Sequence, residues 1–407
     1  MPPSMGGLVR HYYFKKYLSA KGHNVRILTS SKIHNTQINM IKDNSLYVDK
    51  LMDGVTYTYV KAPDYSSNGF DRIKSMLMFA VNVVKLCKKL MAAGERPDVI
   101  YASSPEPFSA YKAIKWAKKE KIPTVIEIRD LWPESIVEYN GMSRKNPVIK
   151  ALYKLEKWLY VNSDRIIFTM EGGRDYIKQK GWHDDVDLNK IYHINNGVCL
   201  DEFEKNKQIY IIDDKDLSDE STFKVVYTCS IRKANNLQSI VEAAKICGEK
   251  EKRIKFIIYG DGSHLPQLAE YCVAQNLDNI VFKGRIDKKY IPYVLTCSDL
   301  TLLNYLPAST WQYGSSQNKL FEYFAAGRPV LSTISVNYSI IKKYCCGMEI
   351  ENQTPQNIAD AVISMSRLND EEYNMMSANA LKAAADYDFK ALSDKLEDIL
   401  IHLNSMY

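Results

Sequence analysis

Apolar runs of strand length alternate with amphipathic segments of helix length along nearly all 407 residues, and no other feature restricts the fold as tightly. The alternation points to parallel sheets covered by helices on both faces, so the chain is α/β. Its length and its 46% hydrophobic residues allow two cores. In the first half the strands fall at Val25–Thr29, Val99–Ala102, Thr124–Ile128, Arg165–Thr169 and Lys190–Ile194. In the second they fall at Lys224–Cys229, Lys255–Tyr259, Ile280–Lys283, Leu300–Leu303 and Pro329–Ser332. Lys205–Thr222 (KNKQIYIIDDKDLSDEST) is acidic and weakly periodic, and it reads as a linker. The expected domains are therefore 1–204 and 223–385, both Rossmann-like and doubly wound, with the linker at 205–222. A last helix over 386–407 is free to pack back on the first domain.

The beginning of the chain does not fit that scheme. Gly6 and Gly7 resemble a glycine turn feeding a helix that runs to about Ala20 and stops at Gly22, yet only Met1 to Met5 precede them. Such a turn normally follows the first, central strand of a doubly wound sheet. The expectation is that this strand is missing from the chain and that about ten residues, mostly Val, Ile and Leu, lie upstream.

The eight cysteines show no C-x-x-C spacing, and adjacent Cys345 and Cys346 suit packing better than a disulfide, which fits a reducing cytosol. No secretory signal is visible. The longest apolar stretch, Met76–Val84, contains Asn82 and is far short of the roughly 20 residues of a membrane span. The expected location is cytoplasmic, with peripheral contact at the inner membrane face left open. Net charge is uneven: residues 1–200 carry 31 Lys+Arg against 20 Asp+Glu, and the rest carry 23 against 28. A basic first half favours anionic partners, though solvated lysine-rich helix faces account for it equally well. Within it, Arg72–Arg96 mixes Met, Leu, Phe and Val with Lys74, Lys85, Lys88 and Lys89, as an interfacial helix does and as a helix covering the sheet also does.

Four segments of the second half make sense together as a site for a nucleoside diphosphate. Val225–Ala244 is a strand, a polar loop and a helix with Asn236 as N-cap, and Arg232 and Lys233 stand beside the helix end, where an anion is stabilised. In Phe256–Leu265 (FIIYGDGSHL), Gly260 and Gly262 allow a tight turn, but Leu265 stands where a dinucleotide fingerprint needs its third glycine, so this is not an NAD site. Phe282–Ile286 (FKGRI) is a further glycine turn at a strand's C-terminal end. Ser315–Pro329 (SSQNKLFEYFAAGRP) is a helix with Asn318, Lys319 and Glu322 at its start, Lys319 and Glu322 one turn apart. There a carboxylate can accept both ribose hydroxyls while the amine faces phosphate. In the first half, TVIEIRDLWPES places Arg129, Asp130 and Glu134 in the loop after a buried strand. Asp130 there either orients an acceptor hydroxyl or caps a turn with Arg129.

In order, MPPSMGG, IEIRDLWPES, HINNGVCLDEF, VVYTCSIRK, IIYGDGS, VFKGRID and SSQNKLFEYFAAGRPV resemble the retaining GT-B glycosyltransferases of the large bacterial polysaccharide group (group 1, family 4). IRDLWPES combined with NKLFEY is most similar to the subgroup that adds N-acetylated 6-deoxyhexoses such as N-acetylfucosamine in O-antigen or capsule assembly. The resemblance implies two domains facing a cleft and a metal-independent enzyme that needs no cofactor. Its partners would be a nucleotide-sugar, UDP-linked, and a lipid-linked or saccharide acceptor, with no nucleic acid. By position, Asp130 lies beside the transferred sugar, and Arg232 and Lys319 bind the diphosphate. Gly6, Gly7, Ser230, Lys233 and Gly260 lie near the donor, Gly284 and Arg285 meet the base, Ser316 and Asn318 approach the sugar, and Glu322 holds the ribose. Cys229 and Gly314 stand where the family has a glycine and a glutamate. The competing readings are a non-hydrolysing nucleotide-sugar epimerase of the same fold and a basic binding protein without catalysis.

Overall fold

A computed structural model describes residues 2–6, 9–34, 36–66, 69–104 and 106–404, the side chains of Tyr139 and Asn404 excepted. The chain divides into two compact units, one running to Asn195 and resuming at Leu392, the other spanning Asn196–Ala391. The division thus falls before residue 204, and the stretch read as a linker belongs to the second unit. Leu200–Ile209 and Lys215–Ser218 are helical. Asp214 and Asp216 are tied to neighbouring strands by Lys283 at 2.7 and 2.5 Å, and Lys255 adds a contact to Asp216 at 2.5 Å. Burial would raise these two carboxyls, but the lysine hydrogen bonds hold both below the usual carboxylate range.

The first unit carries two sheets. β1 (Ile27–Ser30), β2 (Tyr47–Met52) and β3 (Val55–Val60) lie in the order β1-β3-β2, with β2 and β3 antiparallel. β4 (Ile100–Ser103), β5 (Thr124–Ile128), β6 (Arg165–Phe168) and β7 (Ile191–His193) form a parallel sheet in sequence order. β5, paired on both sides, is buried along its whole length, whereas end strands β1 and β4 are mostly half-buried. The Arg10–Ala20 helix begins shortly after Gly6, which closes a short turn at φ 70°, and is followed by its C-cap Lys21 and by Gly22 at φ 94°. Gly7 lies outside the described residues. Arg10 anchors this helix through Nε to Glu127 at 2.5 Å and through its two terminal nitrogens to the carbonyls of Asn195 and Ile194. Glu127 also accepts from Tyr101 and Ser103 and contacts His11 Nε2. Burial opposes its charge, yet Arg10 and His11 hold the carboxyl well below its ordinary pKa. Lys21 bonds Asp394 at 2.5 Å, which ties the last helix to this unit from Leu392 onward.

The second unit is one parallel sheet of β8 (Phe223–Thr228), β9 (Ile254–Tyr259), β10 (Ile280–Gly284), β11 (Leu300–Leu303), β12 (Val330–Ser332) and β13 (Gly347–Glu349). Its strand order is β10-β9-β8-β11-β12-β13. β8, β9 and β11 are almost entirely buried, which is why they read as unbroken apolar runs. The Leu237–Lys250 helix lays Ile240, Ala243, Ala244 and Cys247 on this sheet as one core. Because the chain winds outward from β8 in one direction and from β11 in the other, the connections diverge between these two strands. Ligands bind outside the strand ends at such a switch point.

Candidate functional site

At the C-terminal ends of β8, β9 and β10 the three loops are stacked by backbone hydrogen bonds. Cys229 donates to Tyr259, Ile231 to Asp261, and Gly260 to Gly284, at 3.1, 2.8 and 2.8 Å. Two glycines make this approach possible. A Cβ on Gly260 would lie 1.8 Å from the Cys229 carbonyl oxygen, and one on Gly262 would lie 2.3 Å from that of Ile231. Gly284 turns the chain at φ 72° with open space around it, and Arg285 follows exposed.

The loop after β8 departs from its expected form. Lys233–Asn235 is a short 3-10 turn, and Asn236 takes a left-handed conformation without capping the Leu237–Lys250 helix. Its side chain donates to Gln353 at 2.8 Å instead. Gln353 in turn reaches Asn304, the Tyr305 carbonyl and Thr333, so the loops following β8, β11, β12 and β13 share one part-buried polar network. Arg232 and Lys233 stand one turn ahead of the helix, exposed. Ser230 bonds Asn235 at 3.2 Å.

Facing these loops is the start of the Asn318–Ala325 helix, whose apolar face (Leu320, Phe321, Phe324) is fixed in the core. That packing carries Lys319 inward and leaves it only 7% exposed. Its Nζ lies 4.2 Å from the ring centre of Tyr227 and 4.3 Å from that of Tyr305, with no hydrogen-bond partner among the described residues. Burial pushes the amine down to about 8. One turn on, Glu322 lies 3.3 Å from Lys288, the cation following β10. Asn318 is exposed at the first helical position. Ser316 is held by Asn196, whose backbone N–H donates to the Ser316 hydroxyl and whose side chain donates to the Ser316 carbonyl. Ser230, Arg232, Lys233, Gly260, Gly284, Arg285, Ser316, Asn318, Lys319 and Glu322 therefore all lie at the loop end of one sheet. Cations, backbone N–H groups and a carboxylate converge there, a combination suited to phosphates and a ribose.

Asp130 and Gly6 lie in the first unit. Asp130 follows β5 and is exposed, but flanking protein desolvates the carboxyl and raises its pKa against the pull of Arg129. Glu134, read from sequence as part of the same loop, starts the Glu134–Asn140 helix. It is buried against Lys180 and also pairs with Arg144, which makes it structural. Sequence reasoning missed Tyr227, Tyr305 and Asn196. A polar side chain within HINNGV was the only local signal for any of the three.

Two family models match the chain: Glycosyltransferase Family 4 over residues 5–202 and Glycosyl transferases group 1 over residues 222–367. A curated relative, the poly(ribitol-phosphate) alpha-N-acetylglucosaminyltransferase of Staphylococcus aureus (strain COL), is 25% identical over 224 residues. That match covers 53% of this chain and 40% of the relative's length. Among solved structures, sucrose-phosphate synthase from Thermosynechococcus elongatus superposes with a TM-score of 0.68 at 14% identity, covering 97% of this chain and 92% of the other. Anabaena HepE in complex with UDP gives 0.61 at 14% identity, covering 79% and 82%. At such identities the structural likeness establishes the fold, which is GT-B.

Proposed function

We propose that this GT-B glycosyltransferase moves a hexose-type sugar from a UDP-sugar to a lipid-linked or saccharide acceptor, with retention of the anomeric configuration. The observation that carries the reading is Lys319, a buried amine with no hydrogen-bond partner among the described residues, at the head of a helix beside the loop that carries exposed Arg232. An amine in that state is stabilised by an anion, and the convergence of N–H groups and cations matches a diphosphate. Glu322 is the acceptor for the ribose hydroxyls, and the turn at Gly284 and Arg285 meets the base. UDP in the Anabaena structure and the N-acetylglucosaminyl group in the relative's name favour a UDP-linked, N-acetylated sugar. N-acetylfucosamine, from the resemblance of IRDLWPES and NKLFEY, is the specific donor proposed, with O-antigen or capsule as the product.

In the reaction the acceptor oxygen bonds to the anomeric carbon while the bond to the diphosphate breaks on the same face. The acceptor proton passes to the departing diphosphate oxygen. Arg232 and Lys319 stabilise the charge that develops on the leaving group. Asp130 is assigned to orient the acceptor hydroxyl. The Phe70–Ala92 helix is assigned to an anionic membrane surface at the cytoplasmic face.

The test is product formation across a panel of UDP- and GDP-sugars with a lipid-pyrophosphate acceptor, with product stereochemistry read by NMR. Turnover with a UDP-sugar and a product that keeps the donor's anomeric configuration are expected. UDP-sugars inert beside an active GDP-sugar, or an inverted product, would overturn the donor or the stereochemical assignment.

A further inference from the structure

An ammonium carries three donors and no acceptor, and one this deeply buried normally gives them to carboxylates, carbonyls or water. Lys319 gives them to none of the described residues. Ring faces occupy the places where such partners would stand, at 4.2 Å (Tyr227) and 4.3 Å (Tyr305), well inside the range of a cation–π contact. The Tyr227 hydroxyl is turned away, bonding the Ser230 carbonyl at 3.1 Å. A ring face attracts the cation without taking up an N–H, whereas a carboxylate in its place would neutralise the charge and compete with an incoming anion.

We propose that Tyr227 and Tyr305 are positioning residues for the donor diphosphate, acting through Lys319, whose ammonium their ring faces clamp with all three donors free for phosphate oxygens. This inference rests on the donor site proposed above. The other titratable groups facing the amine are consistent with it. Cys229, after β8, is the neighbour that favours the charge. Tyr323, on the same helix, is committed to Thr228 and the Leu302 carbonyl. Glu322 is directed to Lys288. Because burial sets the free amine near 8, the clamped lysine loses charge in mildly alkaline solution, and a bound diphosphate restores it.

UDP titration calorimetry between pH 7 and 9 tests the clamp with Tyr305→Leu, Tyr305→Phe and Lys319→Ala. Tyr305→Leu is expected to weaken UDP about tenfold at pH 7, through loss of a cation–π contact near the top of its range. It should also move the alkaline fall in affinity upward from pH 8, as water enters and the amine returns toward its ordinary value. Tyr305→Phe should keep both native properties, because the ring face remains. In the unaltered chain at pH 8.5, binding enthalpies in two buffers of different ionisation enthalpy should reveal uptake of roughly half a proton or more. If Lys319→Ala binds UDP as tightly as the native chain, the donor site itself is misplaced. If Lys319→Ala weakens binding while Tyr305→Leu changes neither affinity nor pH profile, or Phe fails to restore what Leu removes, the clamp is overturned.

Discussion

Lys288 Nζ lies 3.3 Å from Glu322 Oε1, joining the loop after β10 to the helix that carries Lys319. The pair is open to water, Lys288 being 59% and Glu322 21% exposed at the side chain, so it contributes about 1 kcal/mol or less to stability. Under the proposed function its value is in orientation, since Lys288 fixes the carboxylate assigned to the ribose. Glu322→Gln should leave the melting temperature nearly unchanged and weaken UDP by a factor of about 10 to 100, the worth of a hydrogen bond to a charged group. Calorimetric UDP titration and a thermal melt on the same sample check both halves. Unaltered UDP affinity would remove the ribose assignment.

Asp130→Asn separates chemistry from binding. The carboxyl's pKa is raised by desolvation, so the acid limb of turnover should lie at a higher pH than an ordinary aspartate would give. A raised folded-state pKa also means that the charged form is penalised at pH 7, so the amide variant should be no less stable there. Turnover should fall about 100-fold or more while UDP affinity changes less than twofold. Equal losses in the two constants would reassign Asp130 to binding, and a large drop in melting temperature would reassign it to folding.

The turns at Gly260 and Gly284 should respond to alanine very differently, although both read as glycine turns at strand ends in sequence. Gly260→Ala would drive a Cβ into the Cys229 carbonyl at 1.8 Å, and the backbone on both sides is fixed in the sheet. Its expected outcome is loss of soluble, folded protein. Gly284→Ala meets nothing within 4 Å and carries only the strain of φ 72°, about 1 kcal/mol or a little more. Parallel expression and denaturant melts decide; similar behaviour of the two variants would mean that the close approach is relieved by movement of the β8 loop.

What could be read from sequence follows from what each element depends on. The strands of both units, apart from β2, β3 and β13, were placed within about two residues, because buried parallel strands are apolar runs whatever surrounds them. The hairpin of β2 and β3 was missed, although Asp53-Gly54, with φ of 53° and 75°, is the turn such hairpins favour. Its alternating residues, YVDKLM and VTYTYV, give a period-two signal that a search for unbroken apolar runs passes over. β13 has three residues and opens with Gly347, too little for any pattern. Lys319 and Glu322 can be placed together at the start of one helix from sequence, because that placement depends only on their spacing. The rings around Lys319 and the Gln353 that claims Asn236 come from other strands and loops, so only packing reveals them.

Glu156 gives the first unit a pH-dependent stability. It is buried on the Pro147–Asn162 helix, accepts from Tyr160 and Tyr176, and is pushed up to about 8 by desolvation. A carboxyl whose folded pKa is raised contributes stability below its unfolded pKa and loses it as pH climbs through the folded value. Unfolding free energy should therefore drop between about pH 5 and 8, by on the order of 1 kcal/mol per pH unit. Glu156→Gln keeps an acceptor for the tyrosines and cannot ionise, so its stability should be nearly flat across that window. Urea melts at pH 5.5, 6.5 and 7.5 make the comparison, and equal slopes for the two proteins would show that the carboxyl is already ionised.

The Phe70–Ala92 helix uses two faces, and the outer one yields the last prediction. Val83, Leu86 and Cys87 pack against Trp116, Ala117 and Ile122, so the helix does cover the first unit's core. On its other side Phe70, Ile73, Leu77, Met78 and Val81 are exposed, Phe70 by 81%, at intervals that place them on one stripe of the helix. Exposed Lys74, Lys85 and Lys88 continue that side. No helix among the described residues is long and apolar enough to cross a membrane. An apolar stripe with a lysine flank is the pattern behind the proposal that this helix lies at an anionic surface. Two terms then contribute separately: insertion of the apolar residues and attraction of about 1 kcal/mol per lysine near the surface. Sedimentation with vesicles of mixed phosphatidylglycerol and phosphatidylcholine should pull down the native chain, and pure phosphatidylcholine should pull down much less. Lys85→Glu with Lys88→Glu should abolish that preference for the anionic lipid, while Phe70→Ser with Leu77→Ser should weaken binding to both lipids without changing their order. UDP affinity should be untouched in both double variants, because the helix lies in the other unit from the donor site. Equal sedimentation of native and variant proteins on anionic vesicles would leave the stripe as ordinary surface and the helix as a cover for the core alone.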